Sequence, residues 1–199
     1  MKIILAKSAG FCFGVRRAVE LTEQTAAKVA ESGGAAKVFT FGELIHNRDV
    51  VNRLREAGIA PIESLDEAQR GDYVIIRSHG VPKKIYEELE TRGINFIDAT
   101  CPFVSNIHRI VSAAYERGEQ VFIVGNPEHP ETIGINGHCG NSAIFIRGEE
   151  ELRKLEGRSG CLVVQTTFDS ETFAAMQRVI EREYPRIRVF NSICSTTFE

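Results

Sequence analysis

The chain has 199 residues, a net charge of −3, and 43% hydrophobic against 26% charged residues. This length accommodates one or two compact domains, and the composition argues against disorder, collagen and coiled coil. The slight acidic excess disfavours non-specific nucleic-acid binding, and no apolar run is long enough to span a bilayer. Because the amino terminus lacks the apolar stretch of a secretory signal, we expect a cytoplasmic protein with reduced cysteines.

Short β-branched runs alternate with charged, helically periodic segments along the chain. The alternation predicts strands over Lys2–Ala6, Lys37–Phe41, Tyr73–Ile76, Asn95–Ile97, Gln120–Val124, Ala143–Ile146, Leu162–Val164 and Ile187–Phe190. It predicts helices over Val15–Glu31, Asp49–Glu56, Lys83–Thr91, Pro102–Arg117, Glu149–Leu155 and Ser170–Glu183. This order is typical of an α/β protein with largely parallel sheets, whose ligands bind beyond the carboxyl ends of the strands.

The residues that follow the strands repeat in the two halves of the chain. The first half carries, in order, Cys12, Gly42, His46, Ser78 and His79. The second half carries Cys101, Gly125, His129, Thr166 and Thr167. Glycine and histidine are four residues apart in both halves, and the polar pair follows the cysteine by 66–67 and 65–66 residues. Such agreement indicates two copies of one αβ unit.

A third copy is predicted to begin near the end of the chain. Cys194 follows a predicted strand 93 residues after Cys101, which itself lies 89 residues after Cys12. We therefore predict a first αβ lobe over 14–100 and a second over 101–186. Segments 1–13 and 187–199 are then the strands and cysteine of an incomplete third lobe, in a pseudo-threefold arrangement.

Three cysteines share a setting between a strand and a helix. Cys12 lies between glycines in GFCFGV, Cys101 precedes a proline, and Cys194 precedes a possible capping box of Thr196 and Glu199. A helix amino terminus favours the thiolate form, and three thiolates leave one position of a metal cluster open. Isolated cysteines are more often core residues, and the chain has no C-x-x-C pattern. The shared spacing favours the metal site.

The remaining two cysteines fit the ordinary interpretation. Cys161 opens an apolar strand and Cys139 lies in a glycine-rich loop outside the repeat, so we expect neither to have a role at a site.

Three histidines at strand ends form a candidate anion site. His46, His79 and His129 can donate hydrogen bonds to an anion without making the whole protein basic. Glu131 lies two residues after His129 and is a possible proton donor if burial raises its pKa. The strand-end threonines supply hydroxyls, whereas His108 in a helix and His138 in a loop stand outside the repeat.

Seven motifs resemble, in order, those of the 4-hydroxy-3-methylbut-2-enyl diphosphate reductase family. They are GFCFGVRRAVE, ELIHNRDVVNRL, RSHGVP, DATCPFV, HPE, QTT and NSICSTT. The resemblance implies a trefoil of αβ lobes around a 4Fe-4S cluster held by three cysteines, matching Cys12, Cys101 and Cys194. It implies that His46, His79 and His129 bind the substrate diphosphate, that Glu131 delivers protons and that Thr166 lies beside the substrate hydroxymethyl group.

The implied activity is reductive dehydroxylation to isopentenyl or dimethylallyl diphosphate, the last step of the non-mevalonate isoprenoid pathway. Electrons would arrive singly from a ferredoxin or a flavodoxin, with no membrane or nucleic-acid partner. Family members continue for about one more lobe after the third cysteine, so we expect a fragment of a longer protein. Two alternatives stay open: a truncated chain that keeps a cluster or anion site without turnover, and a cysteine hydrolase or transferase, because GFCFG has the form of a nucleophile elbow.

Overall fold

The structure, a computed structural model, describes residues 10–33 and 35–194. Within these residues, six α-helices and eight strands alternate. The helices are α1 (Phe13–Glu31), α2 (Arg48–Glu56), α3 (Lys83–Arg92), α4 (Pro102–Glu116), α5 (Pro130–Gly137) and α6 (Ser170–Glu183). The strands are β1 (Val38–Phe41), β2 (Ala60–Ile62), β3 (Tyr73–Ile76), β4 (Asn95–Asp98), β5 (Gln120–Val124), β6 (Ile144–Ile146), β7 (Gly160–Val164) and β8 (Ile187–Phe190). Short 3-10 helices cover Leu65–Glu67 and Glu149–Leu155.

The strands form two sheets of identical topology. Their orders are β2-β1-β3-β4 and β6-β5-β7-β8, and every neighbouring pair is parallel. Each pair of parallel strands is joined by a crossover that carries a helix or a 3-10 turn, as parallel pairing requires. The predicted α/β class with parallel sheets is confirmed, and the matching strand orders agree with the repeat in the sequence.

Each sheet is buried on both faces because its central strands are apolar throughout. In β3, Ile75 packs in the core beneath α1 and α2, while Val74 and Ile76 pack in the core beneath α3. The second sheet repeats this arrangement, with α4 and α5 on one face and α6 on the other. Continuous apolar strands of this kind are typical of parallel sheets between helical layers.

Most predicted elements agree with the structure to within two residues at each end. Three elements were missed: β2, the 3-10 helix Leu65–Glu67 and α5. The three-residue strand β2 contains Pro61, and α5 contains Gly134 and Gly137, so neither has the local propensity of its element. The predicted helix Glu149–Leu155 is a 3-10 helix. The predicted strand Lys2–Ala6 and the capping box of Thr196 and Glu199 lie outside the described residues.

One part of the predicted lobe division is wrong. Ile187–Phe190 was assigned to an incomplete third lobe, but it pairs with β7 as the edge strand of the second sheet. It occupies the place that β4 has in the first sheet. The apolar face of α6 packs against it in the core of the second unit. The second sheet therefore extends past the predicted lobe end at residue 186, while the first lobe over 14–100 and the start of the second at 101 stay predictions. Among the described residues, no helix combines the length and apolar character needed to cross a bilayer.

Candidate functional site

Both sheets direct their carboxyl ends toward one cavity of about 140 Å³. Its wall includes, among others, Cys12, His79, Cys101, Glu131, Thr166 and Cys194. A neighbouring cavity of about 350 Å³ shares Ser78 and His79 with it and is also lined by His46. Most of the predicted site residues of the two repeats therefore line these two neighbouring cavities at the strand ends, as expected for an α/β protein.

Equivalent backbone hydrogen bonds fix two of the cysteines in the two repeats. The N–H of Cys101 donates to the carbonyl of Ser78, and the N–H of Cys194 donates to the carbonyl of Thr166, both at 2.9 Å. Each bond attaches the residues after an edge strand to the residues after its neighbour, β3 or β7. The third thiol belongs to Cys12, which is the N-cap of α1.

Gly14 allows the amino termini of α1 and α4 to approach closely. A Cβ atom at this position would lie 2.6 Å from the Cys101 sulfur and 3.2 Å from the Cys101 Cβ. Only glycine fits there, which explains the second glycine of GFCFG. The structure thus brings the three predicted cysteines to one cavity, and their thiols form a donor set that fits an iron–sulfur cluster.

The protonation of Cys101 differs from the expected thiolate. Burial raises the pKa of this thiol, and the neighbouring Cys194 and Cys12 raise it further, although the N–H groups of Phe103 and Val104 act in the opposite direction. The helix terminus is therefore too weak to outweigh desolvation. A bound metal would have to displace this proton, which makes metal binding dependent on pH.

Cys139 and Cys161 lie elsewhere, in the core between the second sheet and α4 and α5. Both are fully buried, and burial raises the pKa of Cys161 to about 11. The Cys139 thiol donates to the carbonyl of Asn136 at 3.2 Å. These two side chains pack as small apolar groups.

Three histidines form a compact cluster between the two sheets. The ring centroids of His46 and His79 are 4.5 Å apart, and that of His129 lies 5.9 and 5.6 Å from them. His46 precedes Asn47, the N-cap of α2, while His129 itself is the N-cap of α5. The helix amino termini and the histidine N–H groups together favour an anion at this place.

Two imidazoles of the cluster, those of His79 and His129, are held in the neutral form. Burial, followed by the nearby His46, His129 and Arg77, lowers the pKa of His79 to about 3. The pKa of His129 is lowered chiefly by burial and then by His46 and Arg77. Neutral imidazoles bind cations as well as anions, so their tautomers decide between the two.

The tautomer of His129 favours an anion over a metal ion. Its Nδ1 accepts a hydrogen bond of 3.1 Å from the N–H of Glu131, so the hydrogen of the neutral ring lies on Nε2. The potential ligand atoms of the three histidines lie within 4.8 Å of one another, a spacing that also suits a metal. A protonated Nε2 cannot coordinate a metal but can donate to a phosphate oxygen, so at His129 this tautomer favours an anion.

Glu131 and Thr166 are joined by a buried pair of hydrogen bonds. One carboxylate oxygen accepts from the N–H of Thr166 and the other pairs with its hydroxyl, both at 2.6 Å. Glu131 is only 2% exposed, and burial raises its pKa in spite of these bonds. A carboxyl group of raised pKa at the wall of the thiol-lined cavity is suited to hold and release a proton. The adjacent Thr167 is exposed and accepts from Gln165.

A stacked histidine pair behind the cluster was not predicted as part of the site. The rings of His108 and His138 are 4.0 Å apart, and the Nε2–H of His138 donates to the carbonyl of Val81 at 3.1 Å. His108 also lies against Gly80, next to His79. The pair therefore fixes the loop that follows β3. One sequence signal could have indicated this pair. By analogy with α2 after His46, a helix could have been expected after His129, and His138 lies at the end of that helix, α5.

The fold and site together define an α/β protein of two repeated parallel-sheet units that meet at a thiol-lined cavity and a cluster of three histidines. The family described as LytB protein matches residues 3–199, and the chain belongs to this family. A 4-hydroxy-3-methylbut-2-enyl diphosphate reductase of Alkaliphilus oremlandii is 39% identical over 99% of this chain and 69% of its own length. One of Clostridium perfringens strain 13 is 45% identical, over 98% and 68%.

Two solved structures share the fold. The structure of (E)-4-hydroxy-3-methyl-but-2-enyl diphosphate reductase, the terminal enzyme of the non-mevalonate pathway, superposes with a TM-score of 0.84 and 38% identity, covering 98% of this chain and 69% of the other. The E-1-hydroxy-2-methyl-but-2-enyl-4-diphosphate reductase from Plasmodium falciparum gives a TM-score of 0.87 at 25% identity, over 96% and 60%.

Proposed function

We propose that this protein reduces 4-hydroxy-3-methylbut-2-enyl diphosphate to isopentenyl and dimethylallyl diphosphate, the last step of the non-mevalonate isoprenoid pathway. The observation that carries the proposal is the anion cluster of His46, His79 and His129 beside a cavity lined by three thiols. An allylic diphosphate has an anionic end and a reactive hydroxyl end, and this site offers complementary chemistry for both. The relatives that carry this activity in their names support the assignment.

Cys12, Cys101 and Cys194 would hold the 4Fe-4S cluster. Such a cluster, held by three thiolates, supplies single-electron transfer and one iron with an open coordination position. The overall reaction consumes two electrons and two protons, breaks the allylic C–O bond, forms a C–H bond and releases water. Ferredoxin or flavodoxin as the electron donor, and the cytoplasm as the location, belong to the same proposal.

The histidines bind and orient the diphosphate end of the substrate. The Nε2–H of His129 donates to a phosphate oxygen, because its Nδ1 is engaged by the backbone of α5. His79 and His46 complete the pocket from the first sheet. With the anionic end fixed here, the hydroxyl end reaches the cavity that His79 also lines.

Glu131 holds the proton that the departing hydroxyl group needs. Its carboxyl group contacts Thr166, whose hydroxyl is hydrogen-bonded to one carboxyl oxygen. Both residues line the cavity that contains the three thiols. Burial favours the protonated acid before the reaction, and the two bonds to Thr166 stabilise the carboxylate afterwards. Thr166 thus positions the proton donor next to the reacting end of the substrate.

The cysteine-nucleophile alternative has less support. A nucleophile elbow at Cys12 would leave Cys101 and Cys194 at the same cavity without a role. Alkylation under anaerobic conditions separates the two: a nucleophile reacts at Cys12 alone in a colourless protein, whereas cluster ligands are protected in a brown protein that contains iron.

Turnover of the allylic diphosphate by anaerobically purified protein with a chemical reductant is the deciding experiment. We expect both products, with a stoichiometry of two electrons per molecule reduced. Iron without turnover would instead support the truncated, non-catalytic alternative.

A further inference from the structure

Arg77 is a partly buried cation beside the anion cluster that the proposed mechanism does not use. It follows β3 directly and precedes Ser78 and His79. Its Nε atom is buried and has no hydrogen-bond partner among the described residues. Its guanidinium packs against Gly42, at a place where a Cβ atom would collide with it. Gly42 has a φ of +68°, so both the contact and the backbone require glycine there.

The charge of Arg77 is not cancelled by a close carboxylate. Among the ion pairs of the described residues, none includes Arg77. The acidic group that acts on it is Glu63, which follows β2 and is exposed to solvent. Burial lowers the pKa of Arg77, but an arginine remains protonated at neutral pH. A fixed positive charge therefore lies at the strand ends of the first sheet.

This charge acts on the histidine cluster. Arg77 is among the groups that lower the pKa of both His79 and His129, and the other charged or titratable groups acting on these rings are histidines. Because these two imidazoles are neutral, they donate hydrogen bonds to an anion without compensating its charge. Arg77, whose charge no close carboxylate cancels, supplies the positive charge that these neutral imidazoles do not carry.

We propose that Arg77 provides the fixed positive charge that attracts and holds a diphosphate at the cluster of His46, His79 and His129. This inference rests on the proposed function, since it names the origin of the binding energy at the same anion site. Arg77 acts through its charge across the pocket, while the histidines supply the direct hydrogen bonds. Its role is in binding the anion, so it affects KM and not the proton transfer by Glu131.

The test measures inorganic pyrophosphate binding to the full chain by calorimetry at pH 8 and pH 6. We expect Arg77→Gln to weaken binding about ten- to a hundredfold at pH 8, and Arg77→Lys to keep most of the affinity. The deficit of Arg77→Gln should persist at pH 6, because burial is the largest cause of the low pKa of His79 and this cause remains in the variant. Arg158→Gln is the matched control, since Arg158 is exposed in the turn before β7, at the amino ends of the strands and away from the strand ends that form the site.

A second readout follows the ring proton signals of His79 and His129 by NMR in each variant. An upward pKa shift of both in Arg77→Gln, with no shift in Arg158→Gln, supports the charge role even if Arg77→Gln is less stable. Equal pyrophosphate affinity in wild type and Arg77→Gln at pH 8 overturns the inference and leaves the proposed function standing. Equal losses in the Gln and Lys variants also overturn it, because they indicate a packing role. If the wild type itself does not bind pyrophosphate, the anion site and the inference both fail.

Discussion

Replacing Glu131 by glutamine separates proton delivery from structure at this site. In the wild type, the two carboxylate oxygens pair with the N–H and the hydroxyl of Thr166, both at 2.6 Å. A glutamine oxygen can keep the bond from the N–H, and its amide group can donate to the hydroxyl oxygen. We therefore expect Glu131→Gln to cost less than ~1 kcal/mol of unfolding free energy, because both buried groups keep a partner.

Turnover should respond much more strongly than stability. Glutamine has no acidic proton, and a positioned general acid contributes about 10²- to 10⁴-fold to a rate. We expect kcat to fall within this range while iron content and KM stay close to wild type. The measurements are steady-state turnover with a chemical reductant, iron per chain, and urea unfolding, all made on the same anaerobic preparations.

Glu131→Ala is the companion variant. It leaves the buried N–H of Thr166 without the carboxylate acceptor, so it should lose about 1–3 kcal/mol of stability in addition to activity. If Glu131→Gln loses iron and activity in equal proportion, Glu131 has a structural role and the proton-donor assignment is refuted.

The pH dependence of stability gives an independent check on Glu131. Burial raises its folded-state pKa above the unfolded value of about 4.3, so its stabilising contribution is complete below that pH. The contribution is lost as the pH rises through the folded-state pKa. Glutamine does not titrate, so the stability of Glu131→Gln relative to wild type should increase over this window. A constant difference in urea unfolding between the two proteins would show that the pKa is not raised.

Three further predictions concern the cluster ligands, the packing of α5 and acid stability. Cys101→Ser should abolish bound iron whereas Cys161→Ser should leave it unchanged, as iron analysis of both variants would show. Gly137→Ala should cost about 1–3 kcal/mol in urea unfolding, because its Cβ would lie 2.6 Å from the Cα of the proline that precedes α3, whereas Gly134→Ala meets only ordinary 3.5 Å contacts and should be tolerated. Burial lowers the pKa of His108 to about 3, so its contribution to stability is present above the unfolded value of about 6.5 and is lost as the pH falls toward 3. His108→Phe should therefore reduce the loss of unfolding free energy on acidification by about 1.4 kcal/mol per pH unit in this range. An unchanged dependence of stability on pH would contradict the assignment.

The fold class and the candidate residues of the site follow from local patterns in the amino-acid sequence. Apolar strand runs and periodic helices are local patterns, so β3, β5 and α6 agree with their predicted bounds. The repeat spacing related Cys12 to Cys101 and His46 to His129 because equivalent strand ends in repeated αβ units occupy equivalent places. No knowledge of the tertiary structure was needed for these relations.

Other elements depended on tertiary contacts. The glycines of α5 weaken its helix propensity, but they allow it to pack closely against the loop after β3. Ile187–Phe190 has the same local pattern whichever sheet it joins, and only its pairing with β7 assigned it to the second sheet.

Protonation and charge at the site were decided by the tertiary structure alone. A sequence shows a histidine, a cysteine or a glutamate but not its burial, and burial is the largest cause of the shifts at His79, Cys101 and Glu131. Arg77 had no signal in the repeat, because its significance lies in an uncancelled charge near rings from two different sheets. Such proximity arises only when the chain has folded, since residues 77 and 129 are distant in sequence.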